Sequence, residues 1–323
     1  MLVIHHNDAD GRCAAAIVRC WAKQNPSGVS PLRFFETDYK TPPPLDLIRP
    51  DETVIIVDFS YKPEEMLKLT AKTKNICWCD HHVTAKDYGY DLPGLRDFSD
   101  KGLAGCECAW RHFFPGRNLP LGVRLLGDYD SWRFELGEAR AKAFYEGLKL
   151  EYQDPDSPLW EALFLDNDLP EKITENGHTA ERYRDNYCLE IIKGYGYETE
   201  LTSFAPLPGV SAGPPGPAGP LGASGPRGPT GSTGATAGGP IALHHKAFAM
   251  NAYKFGSPGF GKLFKEYDVC IAYIHDGKKF TVSLYSETVD VSAIAREFGG
   301  GGHRGAAGFV CEQLPFKPKE AGK

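Results

Sequence analysis

The sequence lacks any Cys-x-x-Cys pair, and its nine cysteines are an odd number. A disulfide framework is therefore not expected, and a reducing, cytoplasmic setting fits better. It also lacks a run of about 20 apolar residues, so no membrane-spanning helix is expected. The opening stretch MLVIHHND has only four apolar residues before it turns polar, too few for the apolar core of a secretory signal. An excess of basic residues is missing as well: 36 Lys and Arg stand against 42 Asp and Glu, a net charge of −6. That balance argues against a protein that coats long duplex nucleic acid and leaves small phosphorylated substrates open. What remains is ordinary globular composition, 41% hydrophobic and 24% charged over 323 residues, enough for about two domains with cores of their own.

Glycine (36) and proline (25) are abundant, largely because of one stretch. From Gly213 to Thr236 glycine recurs every third residue for eight triplets, the collagen register, in which only glycine fits at a triple-helix axis. The stretch reads as a flexible Pro/Gly linker or, where three chains assemble, as a short triple helix. It divides the chain into a unit over 1–200, a linker over 205–242 and a unit over 243–323.

The first unit alternates strand and helix. Leu2–His5 predicts a strand, with a helix from about Arg12; Leu32–Phe35 predicts a second strand. Thr53–Val57 is a nearly unbroken apolar run, typical of a strand buried on both faces of a parallel sheet. Lys62–Lys74 predicts an amphipathic helix opened by Pro63 and two glutamates, and Asn75–Cys79 the next strand. This order predicts an α/β fold with a doubly wound parallel sheet. From about 99 to 195 the pattern turns helical, with Glu107–Phe114, Glu138–Leu148 and His178–Gly194 the best candidates. The last unit predicts a smaller α+β domain: a strand at Lys246–Ala252, a hairpin of Val269–Ile274 and Lys279–Tyr285 around Asp276-Gly277, and a helix at Val291–Phe298.

The chemistry-bearing residues collect where the strands of the first unit end: Asp8 and Asp10, Asp58, and Asp80-His81-His82. In an open α/β sheet ligands bind outside the carboxyl ends of the strands, so these groups should converge on one crevice. Several carboxylates in one pocket repel one another unless cations neutralise them. Carboxylates mixed with imidazoles suit Mn²⁺, Zn²⁺ or similar ions, with ligands enough for two. Taken singly, an aspartate ending a strand is often only a helix N-cap; three such groups on successive strands make a metal site the better reading. In the last unit, Gly299–Gly302 with His303 and Arg304 exceeds what a helix cap needs and predicts an anion-binding nest. Of the two Cys-x-Cys pairs, Cys77/Cys79 share one strand face and Cys106/Cys108 fall in a helix; packing is the expected role of all four. His244-His245 beside the linker predicts a surface role.

Taken in order, HHNDADG, VDFS, CDHH, LGDYDSW and GGGGHRGAAGF resemble the DHH phosphoesterase superfamily with its DHH-associated C-terminal domain, over essentially the whole chain outside the Gly-x-y stretch. The VSLYS strand, the short helix and the glycine loop are most similar to the nanoRNase B type of oligoribonuclease. The resemblance implies two Mn²⁺ ions, other divalent transition metals being possible. Asp8 would bind one and Asp10 the other, with Asp58 bridging both. His81 and Asp128 would complete the second site, Asp128 being favoured over Asp130. Either His5 or His6 would supply the first ion's imidazole, with His5 preferred.

His82 would contact the scissile phosphate, making His82 and Asp58 the catalytic residues. Gly300, Gly301, Gly302, His303 and Arg304 would hold the substrate's terminal phosphate or nucleotide. The implied activity is hydrolysis of short oligoribonucleotides to mononucleotides by a two-metal-activated hydroxide. The alternatives on the same site are a phosphoadenosine phosphate phosphatase and a cyclic-dinucleotide phosphodiesterase. A non-enzymatic interaction protein trimerised through the collagen-like stretch is a third reading. A homo-oligomer is expected, dimeric or, if that stretch assembles, trimeric. The collagen register itself, and Tyr285 where many relatives have arginine before the serine, depart from the family pattern.

Overall fold

The structure is a computed structural model that describes residues 1–26, 31–99, 101–166, 168–205, 241–253 and 255–319. The chain divides into two compact units, 1–183 and 184–323. In the first unit β1 (Leu2–His6), α1 (Ala9–Gln24), β2 (Arg33–Thr37), β3 (Val54–Val57), α2 (Pro63–Lys72) and β4 (Ile76–Cys79) follow one another, with each strand within a residue or two of its predicted range. The four strands form a parallel sheet in the order β2-β1-β3-β4. The α/β expectation holds. Because side chains alternate across a strand, the sheet buries two separate cores. Val3, Ile55, Val57 and Cys79 pack with α1 on one face. Leu2, Ile4, Val54, Ile56 and Trp78 pack with Met66 and Leu69 of α2 on the other. The strand order reverses between β1 and β3, and a crevice at such a switch point is where open α/β sheets bind ligands.

Helices follow: α3 (Gly105–Phe113), α4 (Leu121–Asp130), α5 (Glu138–Leu148), α6 (Pro158–Leu165) and α7 (Asp168–Tyr195). α3 lays Cys106, Cys108, Ala109 and Trp110 against the α1 core, as expected for packing cysteines. α7 begins ten residues before the predicted start. Gly177 sits inside the helix, where an added Cβ would lie 1.7 Å from the Ala143 carbonyl oxygen of α5.

The second unit has β5 (Gly196–Ala205), β6 (Ile241–Asn251), α8 (Ser257–Phe260), β7 (Val269–His275), β8 (Phe280–Tyr285), α9 (Val291–Glu297), β9 (Gly301–His303) and β10 (Ala306–Cys311). They form one six-stranded sheet ordered β5-β6-β7-β8-β10-β9, with α9 packed on it through Val291, Ile294 and Ala295. β5 and β6 pair antiparallel from Gly196–Met250 to Ala205–Ile241. The collagen-like stretch 213–236 lies outside the described residues, but both strands that it connects belong to the same sheet. The two units meet at 183/184, inside α7, and β5 pairs with β6 within the second unit. On those paired strands His244 is exposed beside Glu200 and His245 meets the Ser203 hydroxyl, in keeping with a surface role.

Among the described residues no helix is long and apolar enough to cross a membrane.

Candidate metal centre

The crevice above β1, β3 and β4 gathers three imidazoles and five carboxylates. β1 delivers His6, whose Nδ1 lies 2.7 Å from the Oδ2 of Asp8 and 3.8 Å from the Oδ2 of Asp58. Asp8 also N-caps α1 by accepting from the Gly11 amide at 2.9 Å, so capping and site geometry coincide in one side chain. β3 ends in Asp58, which is 1% exposed and takes a left-handed backbone, φ 53°. Non-glycine residues rarely hold that conformation, and it aims the carboxylate across the switch point. β4 ends in Asp80-His81-His82. The Nε2 of His81 stands 3.2 Å from the Oδ1 of Asp58, 3.3 Å from the Oδ2 of Asp130 and 3.8 Å from the Oδ2 of Asp10.

Three overlapping groups could hold a metal: His6, Asp8 and Asp58 offer atoms within 4.8 Å of one another, as do Asp58, His81 and His82, and Asp10, His81 and Asp130. Asp58 links the first two and His81 the last two. The test of whether cations fit is Asp58 itself. Both of its carboxylate oxygens are buried and accept no hydrogen bond from the protein, and a buried, unpaired carboxylate is strongly unfavourable unless a cation meets it. Burial, then the charges of Asp10, Asp8, Asp130 and Asp80, push its carboxyl well above the usual range. Burial and the charges of Asp10 and Asp8 do the same to Asp130. Burial holds the His81 imidazole below its ordinary value, which keeps it neutral and able to ligate. The oxygen and nitrogen donors fit two divalent ions of the Mn²⁺ or Zn²⁺ kind.

The supporting shell is specific. Asp10 accepts from the first amides of α3, Gly105 at 2.7 Å and Cys106 at 3.0 Å. Asp80 is engaged on both oxygens: its Oδ1 meets the Nδ1 of His82 at 2.8 Å, and the Ser60 hydroxyl donates to its Oδ2. Burial opposes a charged His82, but the hydrogen bond and charge of Asp80 win and raise its pKa. The same Nδ1 lies 3.9 Å from the Oδ1 of Asp58. Tyr39 places an exposed ring 5.7 Å from His6 and 5.9 Å from His82.

Asp8, Asp10, Asp58, His81 and His82 thus stand together as the sequence predicted, while two expected ligands stand elsewhere. His5 alternates to the opposite strand face, where its Nδ1 meets the His6 carbonyl at 2.8 Å and its ring lies edge-on to Phe34; His6 is the one that lies beside Asp8 and Asp58. Asp128 accepts from the amides of Glu135 at 2.8 Å and Leu136 at 2.9 Å, with the Arg133 Nε 3.8 Å away. It holds the loop after α4, and Asp130 faces the cluster. Residues two apart on a helix do not share a face, so only one of the pair can ligate. The roles of Asp80, Asp130 and Tyr39 were not assigned from sequence; the DHH tripeptide contains the signal for Asp80.

In the second unit Gly299 (φ 77°) ends α9. Its amide bonds to the Arg296 carbonyl at 3.0 Å and that of Gly300 to the Ala295 carbonyl at 2.8 Å, the Schellman pattern. Those two amides are occupied, so the predicted nest is narrower than the glycine run. Gly301–His303 forms β9, paired with β10, and Arg304 is exposed on the turn between them.

No protein-family model matches the chain. It is similar to the uncharacterized protein R106 of Acanthamoeba polyphaga mimivirus, 25% identical over 279 residues, which is 84% of this chain and 57% of that protein. The chain therefore spans little more than half the length of this relative. It is also similar to the solved DHH domain of a member of a ribosomal-protein family, with a TM-score of 0.50, 14% identity and coverage of 96% of this chain and 82% of that one. Exonuclease RecJ bound to manganese aligns with a TM-score of 0.45 and 14% identity over 96% of this chain and 85% of that one. The fold of this chain is that of the DHH-domain proteins.

Proposed function

We propose that the chain is a metal-dependent phosphoesterase of the DHH superfamily that hydrolyses short oligoribonucleotides to mononucleotides, with two Mn²⁺ ions as its cofactor. The observation that carries this reading is Asp58, buried and without a hydrogen-bond donor on either oxygen, between His6 and Asp8 on one side and Asp10, His81 and Asp130 on the other. Those six residues would hold the ions. Bound there, two divalent cations supply positive charge to the phosphoryl oxygens and acidify a water.

The protein's own groups orient the reaction. Asp80 fixes the His82 ring through Nδ1 and favours its protonated form, so Nε2–H donates to a non-bridging phosphoryl oxygen and stabilises charge as it develops. The α3 amides hold Asp10 in place, so its carboxylate does not turn away as substrate enters. Tyr39 offers a face on which a base stacks, a contact of about 1–3 kcal/mol that tolerates any base. His303 and Arg304 bind the substrate's terminal phosphate, Arg304 as a fork that matches phosphate oxygens. The net charge of −6 agrees with a substrate of a few nucleotides, since a long strand favours an extended basic groove.

The test is Mn²⁺-dependent hydrolysis on RNA di- to pentanucleotides, a cyclic dinucleotide, phosphoadenosine phosphate and pyrophosphate, with Asp58→Ala as control. Mononucleotides released fastest from the short RNAs support the reading. Faster turnover of another substrate keeps the metal chemistry and replaces the oligoribonuclease assignment. Wild-type activity in Asp58→Ala refutes the site.

A further inference from the structure

A different cluster in the first unit joins β4 to α3. Cys77 and Cys79 alternate on β4, so both sulfurs lie on the α1 and α3 side of the sheet, and His112 stands on the last turn of α3. The Sγ of Cys77 is 3.3 Å from the Nε2 of His112, and the two sulfurs and a ring nitrogen of His112 lie within 4.8 Å of one another. A tetrahedral Zn²⁺ with sulfur ligands at about 2.3 Å and nitrogen at about 2.0–2.1 Å separates its donor atoms by about 3.5–3.8 Å. The three groups therefore need only small side-chain rotations to meet one ion.

Packing accounts for Cys106 and Cys108, which are buried among apolar neighbours. It accounts less well for Cys77, which is only half-buried and points its sulfur at an imidazole. We propose that Cys77, Cys79 and His112 form a second metal site that takes a thiophilic divalent cation such as Zn²⁺. Two cysteine sulfurs and an imidazole select such an ion, whereas the carboxylate-rich crevice suits Mn²⁺, so the two sites sort metals by donor chemistry. The hydrogen bond with Cys79, and after it the imidazole of His112, bring the Cys77 thiol down to about 5 against the opposing effect of burial. The nearby Arg96 guanidinium is engaged with the carbonyls of Trp78 and Leu92 and lies over the Trp78 ring.

Cys108, one turn before His112 on the same face of α3, directs its sulfur to the Asp80 carbonyl at 3.8 Å. The fourth position is left to solvent, or to Cys108 after a change of rotamer. An ion here ties β4, one residue before Asp80, to the helix whose first amides hold Asp10. It would act as a strut under the crevice, and the proposal does not depend on what the crevice hydrolyses.

The test is a Co²⁺ titration of the full chain, stripped of metal and kept reduced with a phosphine. A sulfur-to-cobalt charge-transfer band is expected to saturate within about three equivalents, up to two being taken up silently by the crevice, and to be displaced by Zn²⁺. It should be absent in Cys77→Ser and need at least tenfold more cobalt in His112→Gln. Cobalt at the aspartate–histidine crevice gives no sulfur band. Mn²⁺ calorimetry on Cys77→Ser is expected to match wild type, which separates this site from the crevice. Because Cys77 is half-buried, the metal-free melting curve of Cys77→Ser should overlay that of wild type. No sulfur band with cobalt present, or a band that survives Cys77→Ser, overturns the proposal.

Discussion

Gly105 backs directly onto Asp58: a Cβ at Gly105 would lie 2.5 Å from both the Cβ and the Oδ1 of Asp58. That closeness lets α3 bring its first amides to Asp10 beside Asp58. Helix start and Asp58 are therefore one packing unit. Gly105→Ala sets a methyl group against the fixed root of the aspartate, not against a flexible tip. The strain is of the order of 1–3 kcal/mol, and relief requires α3 or Asp58 to move. The expected result is a lower melting temperature and at least tenfold weaker Mn²⁺ binding by calorimetry. Unchanged metal affinity would show that the crevice tolerates displacement of Asp58.

Asp128 and Asp130 should separate cleanly. Asp128→Ala leaves the Glu135 and Leu136 amides without their acceptor, a loss of about 1–3 kcal/mol for each that stays buried. Its melting temperature should fall while the metal stoichiometry holds. Asp130→Ala should do the reverse: weaker metal binding, with a metal-free melting temperature at or above wild type because a buried like charge is gone. Atomic absorption and thermal melts on the two variants decide it, and metal loss from Asp128→Ala would restore the assignment implied by resemblance.

These two aspartates show where sequence reading stops. The strand ends of β1, β3 and β4 are legible because apolar runs end abruptly in acids and histidines, and parallel sheets open their ligand crevice there. Which of two neighbours faces the crevice is a matter of phase. His5 and His6 differ only in strand parity, and Asp128 and Asp130 only in helix azimuth. The glycine run suggests a nest in sequence because the need for αL at Gly299 and the pairing of Gly301–His303 with β10 depend on tertiary partners. Cys77 and His112, 35 positions apart, meet only because α3 folds back over β4.

Arg304, exposed beside β9, is expected to act on substrate binding. Arg304→Ala should raise KM for a short RNA about tenfold or more with kcat held within about threefold, since a phosphate clamp away from the reacting bond contributes uniform binding. An unchanged KM removes this turn from the substrate site.

Glu52 gives a pH signature that does not involve the crevice. Burial opposes its charge, but the Arg49 amide at 3.0 Å and the Arg33 guanidinium at 2.6 Å bring its carboxyl down to about 2. A folded-state pKa below the unfolded value means that its stabilisation is complete above the ordinary glutamate range and is lost as pH falls from about 5 towards 2. Glu52→Gln should lower stability at pH 7 by about 1 kcal/mol, after allowance for solvent around the partly exposed Arg33. The two proteins should converge near pH 2. Denaturant melts at both pH values check this, and a gap that persists at pH 2 would assign the effect to packing.

Asp80 and His82 offer the sharpest test of chemistry because neither needs to change the metal content. Asp80 accepts from the His82 Nδ1 at 2.8 Å, and this contact raises the imidazole pKa against the effect of burial. If protonated His82 donates to the phosphoryl group, activity falls on the alkaline side as that proton is lost. Asp80→Asn removes the charge that favours the proton, so this alkaline limb should move to lower pH, and kcat at pH 8 should fall about 10²-fold or more. His82→Gln keeps a donor but no titrating group: kcat should fall by about 10²–10⁴ and the limb should vanish. A merely structural Asp80 would lower stability in both variants without moving the limb. A limb that stays in place in Asp80→Asn, with two metals still bound, would assign the proton to a group other than His82.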